Sequence, residues 1–409
     1  MRSIFLAFLA APLLIMADDF VFEANYDESK IPAYTLPDVL EGVKTASDWP
    51  VKRAMWHSLI AREMFGETTA AMQAAKAIST PAAPDKAILN GKGILKQITV
   101  KLAGEELNVA LFLPKSAQEK PVPVFLGYNF SGNHAVFDDP GIILPSSWML
   151  KRKDHTANEE DRGASARRWS VERIIDGGCG LVTIYYGDVD PDFDDAFKNG
   201  VHAALGEPEN HEAGSIATWS WALSRTLDVL EESIAEVDGE KVAVFGHSRL
   251  GKTSLWAGAS DERFALVISN DSGCGGAALS RRGIGETVWR ITNSFPHWFC
   301  RNFLRYANKE ADLPFDNHTL LALIAPRPLY VASAEDDKWA DPKGEFLSCL
   351  HASPVYQLLD TEGLPATEMP AVNSPVHGQI GYHIRTGEHN VTDYDWEQYV
   401  KFASKHLLP

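Results

Sequence analysis

The stretch EKVAVFGHSRLGKTSLWAGAS, residues 240–260, carries a serine where serine chemistry belongs. An apolar, β-branched run ends at Gly246, Ser248 follows two residues later, and a helical pattern starts directly after it. A strand, a tight turn and a helix in that order push a hydroxyl out of the turn, as a nucleophile requires. The spelling departs from G-x-S-x-G, because Leu250 stands where the second glycine belongs and Gly251 comes one residue late. On motif alone, an ordinary strand-to-helix loop that contains a serine stays open.

A nucleophilic serine needs a base, and the base needs an orienting acid. The chain order serine, acid, histidine points to GYHIRTGEHNVTDYDW, where His389 follows the last strand pattern and precedes the last helix, with Asp393 as the expected helix N-cap. His383 falls inside the strand pattern, as a core or pocket-wall residue, and His377 precedes it at the opposite end. Two aspartates compete for the acid. Asp271 closes the first strand after the serine, FALVISN, and Asp337 lies in ASAEDDKWADP after the second. Both would stand at the C-terminal edge of the sheet, and the sequence does not choose between them. Asp336 and Asp341 are expected as solvated turn residues.

Arg249, directly after the serine, offers fixed donors for developing negative charge. As a plain surface residue it would be disfavoured at a helix start by the dipole. Lys252 lies one helical turn on and on a similar face, where taken alone it is expected as a solvated lysine. Trp289 and Trp298 could line a platform for a ring, but core packing is the expectation for both, and Arg281, Arg282 and Arg290 could equally serve ion pairs in the long loop.

These side chains need a frame. From about residue 96, short apolar runs alternate with helical patterns: VPVFLGYNF, CGLVTIYYG, KVAVFG, FALVISND, RPLYVASAE and QIGYHIRTG against SARRWSVERIIDGG, GSIATWSWALSRTLDVLEES, GEFLSCLHASPVYQLLD and DYDWEQYVKFASKHL. Such runs fit strands buried on both faces, so the spacing predicts a three-layer α/β/α sandwich around a mostly parallel sheet. QITVKLAGEELNVALFLP reads as a hairpin turning at AGEE. Upstream, ASDWPVKRAMWHSLIAREMFG is helical in period, and TPAAPDK reads as a proline-rich connector. The long stretches 135–168, 188–213 and 272–320 are expected as functional loops after strand C-termini, where open sheets bind ligands. The expected division is a signal peptide over 1–17, an N-terminal helical extension over 18–95, and a catalytic domain over 96–409.

The 409 residues carry a net charge of −17, which disfavours nucleic acid and anionic membrane as partners. Residues 1–17 pair a basic Arg2 with an apolar run too short to span a bilayer, the pattern of an export signal. No other segment is apolar for long enough to cross a membrane. The 4 cysteines show no metal-site spacing and are expected as buried free thiols. Asn129, Asn270, Asn317 and Asn390 open glycosylation sequons. Two of them adjoin candidate catalytic residues, where a glycan would block the cleft. The reading is therefore a bacterial, periplasmic or secreted protein.

Taken together, GHSRLGK, NDSGCGGAA, GETVWRIT, WADPKGEF and GEH resemble, in order, the glucuronoyl esterases of carbohydrate esterase family 15, in their bacterial branch. The fungal branch carries a disulfide-forming cysteine where this chain has His247, so that bridge is absent here. The resemblance implies an α/β-hydrolase fold, with Ser248 as nucleophile and His389 as base. Asp271 matches the family's usual acid position and Asp337 the alternative station of bacterial members. It further implies Arg249 as oxyanion stabiliser and Lys252, Glu286 and Trp339 as holders of the glucuronoyl sugar. The implied reaction is hydrolysis of esters between 4-O-methyl-glucuronic acid of glucuronoxylan and lignin alcohols, with no metal or organic cofactor, by a monomer. The alternatives are an acetyl xylan esterase or general carboxylesterase of the same fold and, from another class, an inactive carbohydrate binder on a hydrolase scaffold.

Overall fold

The computed structural model describes residues 22–150 and 152–408, so the expected signal peptide lies outside the described residues. Ten strands form a single sheet: β1 (Ile78–Ile88), β2 (Gly93–Leu102), β3 (Glu105–Pro114), β4 (Val122–Asn129), β5 (Gly180–Tyr185), β6 (Val237–His247), β7 (Leu266–Asn270), β8 (Leu329–Ala334), β9 (Val376–His377) and β10 (Ile380–Arg385). Their spatial order is β1-β2-β3-β5-β4-β6-β7-β8-β10-β9. The run from β5 to β10 is parallel throughout, while β1, β2 and β3 join antiparallel at one edge and β9 at the other.

The principal helices are α1 (Trp49–Ile60), α2 (Val171–Asp176), α3 (Ser215–Ser233), α4 (Arg249–Ser260), α5 (Val288–Ser294), α6 (Asn317–Ala322), α7 (Pro342–Leu358) and α8 (Asp393–His406). They cover both faces of the sheet, and the strand pleat explains how. Along β6, Val242 and Val244 enter one core with residues of α1, α3, α4 and α7, while Ala243 and Phe245 enter the other with residues of α2 and α8. Period-two alternation thus feeds two apolar layers from one strand, and the expected three-layer sandwich follows. AGEE is the hairpin turn between β2 and β3, with Ala103 and Gly104 both at positive φ.

TPAAPDK corrects one expectation. It is not a connector but part of β1, paired antiparallel to β2 with register breaks between Pro81 and Ala83 and between Ala83 and Lys86. Proline lacks the N–H that a central ladder needs, yet an edge strand tolerates it, and β1 is the edge.

Candidate active site

β6 ends at His247, Ser248 turns the chain, and α4 begins at Arg249. Ser248 adopts φ 59° and ψ −128°, a region that costs a non-glycine residue about 1–3 kcal/mol and persists only where surroundings enforce it. The enforcement is visible. Ser248 donates its N–H to the Asn270 carbonyl at 2.9 Å and accepts from the N–H of Gly251 at 2.8 Å. A Cβ on Gly246 would lie 1.8 Å from the Leu250 carbonyl oxygen, so only glycine fits two residues before the serine. The displaced second glycine also has its reason. Leu250 points into the core, whereas a Cβ on Gly251 would meet Ser272 at 3.0 Å and the Asn270 carbonyl at 3.1 Å. The residue that must be small for α4 to approach β7 is 251.

His389 stands between β10 and α8, its side chain 43 % exposed, with Nδ1 2.5 Å from Asp337 Oδ2. An Nδ1–H donated to a carboxylate leaves Nε2 as the basic atom. Asp337 is buried just past β8. Asp271, at the end of β7, is buried too but does not bond the imidazole. Its Oδ2 accepts from Arg385 at 3.4 Å and from the Asn390 N–H at 3.3 Å, and its Oδ1 has no partner among the described residues. Burial, reinforced by Glu345 and Asp337, pushes the Asp271 carboxyl well above the ordinary range against the pull of Arg385. Ligand atoms of Asp271, Asp337 and His389 lie within 4.8 Å of one another, close enough for a metal ion as well. Here His389 Nδ1 is engaged with Asp337, the contact an imidazole and an orienting carboxylate make in an acid–base couple.

Beneath His389 lies His247, its ring 4.4 Å away and its Nδ1 2.5 Å from Asn270 Oδ1. Burial and the neighbouring His389 hold it well below the usual histidine value, so it packs as a neutral ring. Asn270 in turn donates to Tyr399 at 2.9 Å and to Asp395 at 3.3 Å. His383, as expected, is core: it bonds Asp395 at 2.9 Å and Tyr330 at 3.0 Å.

The Arg249 guanidinium is paired with Asp192 and lies 4.6 Å from the ring centroid of Trp298. Asp192 is buried and also accepts from Tyr186 at 2.9 Å, His297 at 3.0 Å and Trp298 at 2.7 Å. Burial alone would raise it, but His297 and the Arg249 charge hold it well below the ordinary range. Lys252 is buried, donating to the Ser272 carbonyl at 2.6 Å and facing Glu286 at 3.9 Å. Burial lowers the lysine and raises Glu286, and each charge opposes the other's shift. Trp339 is 37 % exposed, and its carbonyl accepts the Glu286 N–H at 3.0 Å. A cavity of about 360 Å³ brings Ser248, Arg249, Lys252, Asp271, Glu286, Asp337, Trp339 and His389 together, so it unites all eight residues singled out from sequence.

Two expectations need correction, one is extended and one residue was missed. Trp298 is buried as foreseen, yet it also walls this cavity beside Arg249. Asp341 is no solvated turn residue: buried, it caps α7 and pairs with Arg282. The N-cap of α8 is Thr392, whose side chain forms a capping box with Asp395, while Asp393 is the first helical residue. Asp192 was not singled out, although the acidic run DVDPDFDD inside a long loop after a strand was a signal for it.

A parallel sheet with a strained serine elbow, and a histidine–aspartate couple at the strand C-termini, define an α/β-hydrolase. Comparison with known proteins narrows this. A family model described as glucuronyl esterase, fungi, matches residues 196–360. Carbohydrate esterase MZ0003, from an unknown prokaryotic organism, is 47 % identical over 403 residues, covering 94 % of this chain and 92 % of that protein. A promiscuous CE15 esterase from a marine bacterial metagenome superposes with a TM-score of 0.87 at 45 % identity, covering 94 % of this chain and all of the other. The glucuronoyl esterase from Solibacter usitatus gives a TM-score of 0.87 at 42 % identity, over 93 % of this chain and 100 % of that one. The chain belongs to carbohydrate esterase family 15 and is a carboxylic ester hydrolase.

Proposed function

We propose that the protein is a glucuronoyl esterase that cleaves the ester between a glucuronic acid residue and an alcohol. The observation that carries this reading is the Asp337–His389 couple beside the Ser248 elbow, opening onto a cavity that holds Lys252, Glu286 and Trp339. His389 Nε2 takes the Ser248 proton, and the oxygen attacks the ester carbonyl. Charge on the oxyanion is met by the N-terminal amides of α4 and by Arg249. The imidazolium returns its proton to the departing alcohol, and water releases the acyl-enzyme by the reverse sequence. Asp337 orients the ring and stabilises the imidazolium. Lys252, Glu286 and Trp339 hold the sugar, with the indole as its platform.

Benzyl glucuronate, its galacturonate epimer and p-nitrophenyl acetate test this together. The glucuronate is expected to be the best substrate by kcat/KM, and Ser248→Ala to lower its turnover by at least about 10⁴-fold. A preference for the acetate would make the chain a general or acetyl xylan esterase, and binding of glucuronoxylan without hydrolysis would make it a carbohydrate binder.

The natural substrate in this reading is the lignin–glucuronoxylan ester and the enzyme is exported by a bacterial host; of the expected extension over 18–95, the segment that carries α1 packs on the catalytic core, whereas β1 and the start of β2 belong to the catalytic sheet itself. Burial of Trp49, Trp56 and Ile60 against the catalytic core supports that packing. The buried positions of Asn129, Asn270 and Asn317 support a host that does not glycosylate them. N-terminal sequencing of the natively produced protein tests export: a mature chain starting near Asp18 is expected, and a retained Met1 would overturn it.

A further inference from the structure

A second cavity, of about 280 Å³, shares Ser248, Arg249 and His389 with the first and is otherwise lined by different residues. Its remaining wall is partly apolar, from Phe130, Leu150 and Tyr186, and partly cationic, from Arg152 and Arg168. The nucleophile therefore sits on a saddle between two chambers. An ester attacked at its carbonyl carbon has two arms, and if the acyl sugar fills the chamber of Lys252 and Trp339, the alcohol must enter the other.

The charges in that second chamber are unbalanced. Among the described residues its lining includes no carboxylate, although the chain as a whole carries a net −17. Arg249 is neutralised by Asp192, and Arg152 lies 2.8 Å from Asp161. Arg168 is exposed, and among the described residues its guanidinium has neither an ion-pair partner nor a hydrogen bond. Its backbone is held instead, with the carbonyl accepting from Trp396 Nε1 at 2.6 Å and the N–H donating to the Ser165 carbonyl at 2.9 Å. An anchored backbone that presents an unpaired cation beside the reacting centre has the form of a recognition element for an anion.

We propose that this chamber receives the leaving alcohol and that Arg168 selects alcohols whose aryl body carries a carboxylate. The aryl ring packs against Phe130 and Leu150, and its carboxylate reaches the guanidinium. This rests on the reading of Ser248 as nucleophile with the sugar on the Lys252 side. The test compares the benzyl and 4-carboxybenzyl esters of glucuronic acid in the full-length enzyme and in Arg168→Gln. Wild type is expected to favour the carboxybenzyl ester about fivefold in kcat/KM at low salt, through KM, and the preference to shrink in high salt. In Arg168→Gln the ratio of the two esters should fall to about one, and Arg168→Lys should restore part of it. Equal ratios in wild type and Arg168→Gln would overturn the assignment of Arg168. Failure of wild type to hydrolyse either ester would overturn the underlying reading of the site instead.

Discussion

Two carboxylates reach the end of the sheet beside His389, and their surroundings differ. Asp337 touches the imidazole, whereas Asp271 faces Arg385 and the Asn390 N–H. A group driven strongly toward its protonated form by burial is poorly suited to stabilise an imidazolium. Asp337→Asn should therefore lower kcat for benzyl glucuronate by about 10²–10⁴-fold, and Asp271→Asn by less than about tenfold. Steady-state kinetics on both variants decide this, and the reverse order would return the acid role to Asp271. At the same scale, Asp192 stands behind Arg249 as Asp337 stands behind His389. Its link to Arg249 spans 57 residues of chain, so the acidic run that marks it does not name its partner.

At the scale of elements, the turn from β6 into α4 decides which glycines the sequence can spare. Leu250 sits where a conventional elbow has glycine, but its side chain fills the core between sheet and helix. Leu250→Gly, which restores the familiar spelling, should cost about 3–5 kcal/mol from the lost side chain and the freer helix backbone. Urea denaturation measures this, with kcat per folded molecule kept within about tenfold. A variant as stable as wild type would show that Leu250 does not hold the elbow. The same element explains what sequence could reveal. Ser248, Arg249 and Lys252 share one helix start and His389 one loop after a strand, so spacing made Ser248 and His389 candidates, while the part given to Lys252 came with the family resemblance. The parallel strands were legible because both faces are buried and their runs are continuously apolar. β1 was not, because an edge strand keeps prolines and polar residues that read as a connector. Asp341 misled for a related reason: its partner Arg282 lies 59 residues away, and only folding turns an acidic turn residue into a buried cap.

For the whole molecule, buried acid groups set the direction in which stability changes with pH. Burial raises Glu345 to about 8 despite hydrogen bonds from Ser333 and the Gly273 N–H. It raises Asp190 to about 8 and Asp188 to about 7 in the same way, against weaker pulls from Ser215 and Ser147. In an unfolded chain such groups titrate near about 4. Between that value and about 7–8 the folded protein thus binds more protons than the unfolded chain, and stability falls as pH rises through the window. The stabilisation is fully present below the unfolded value and lost as each group ionises inside the fold. Asp192 and Asp395 work the other way, being held low by their partners, but their contribution is lost only as pH falls below about 4. Self-repulsion in a chain of net charge −17 adds to the loss at high pH. The thermal midpoint should therefore be higher near about pH 5.5 than near about pH 8.5, by several degrees. Glu345→Gln should flatten that slope, because its amide oxygen can still accept from the Ser272 and Gly273 N–H groups while no ionisation remains to lose. Scanning calorimetry of both proteins across this range is the measurement. A midpoint that climbs toward pH 8.5, or a slope unchanged in Glu345→Gln, would show that these carboxyls are not held protonated by the fold.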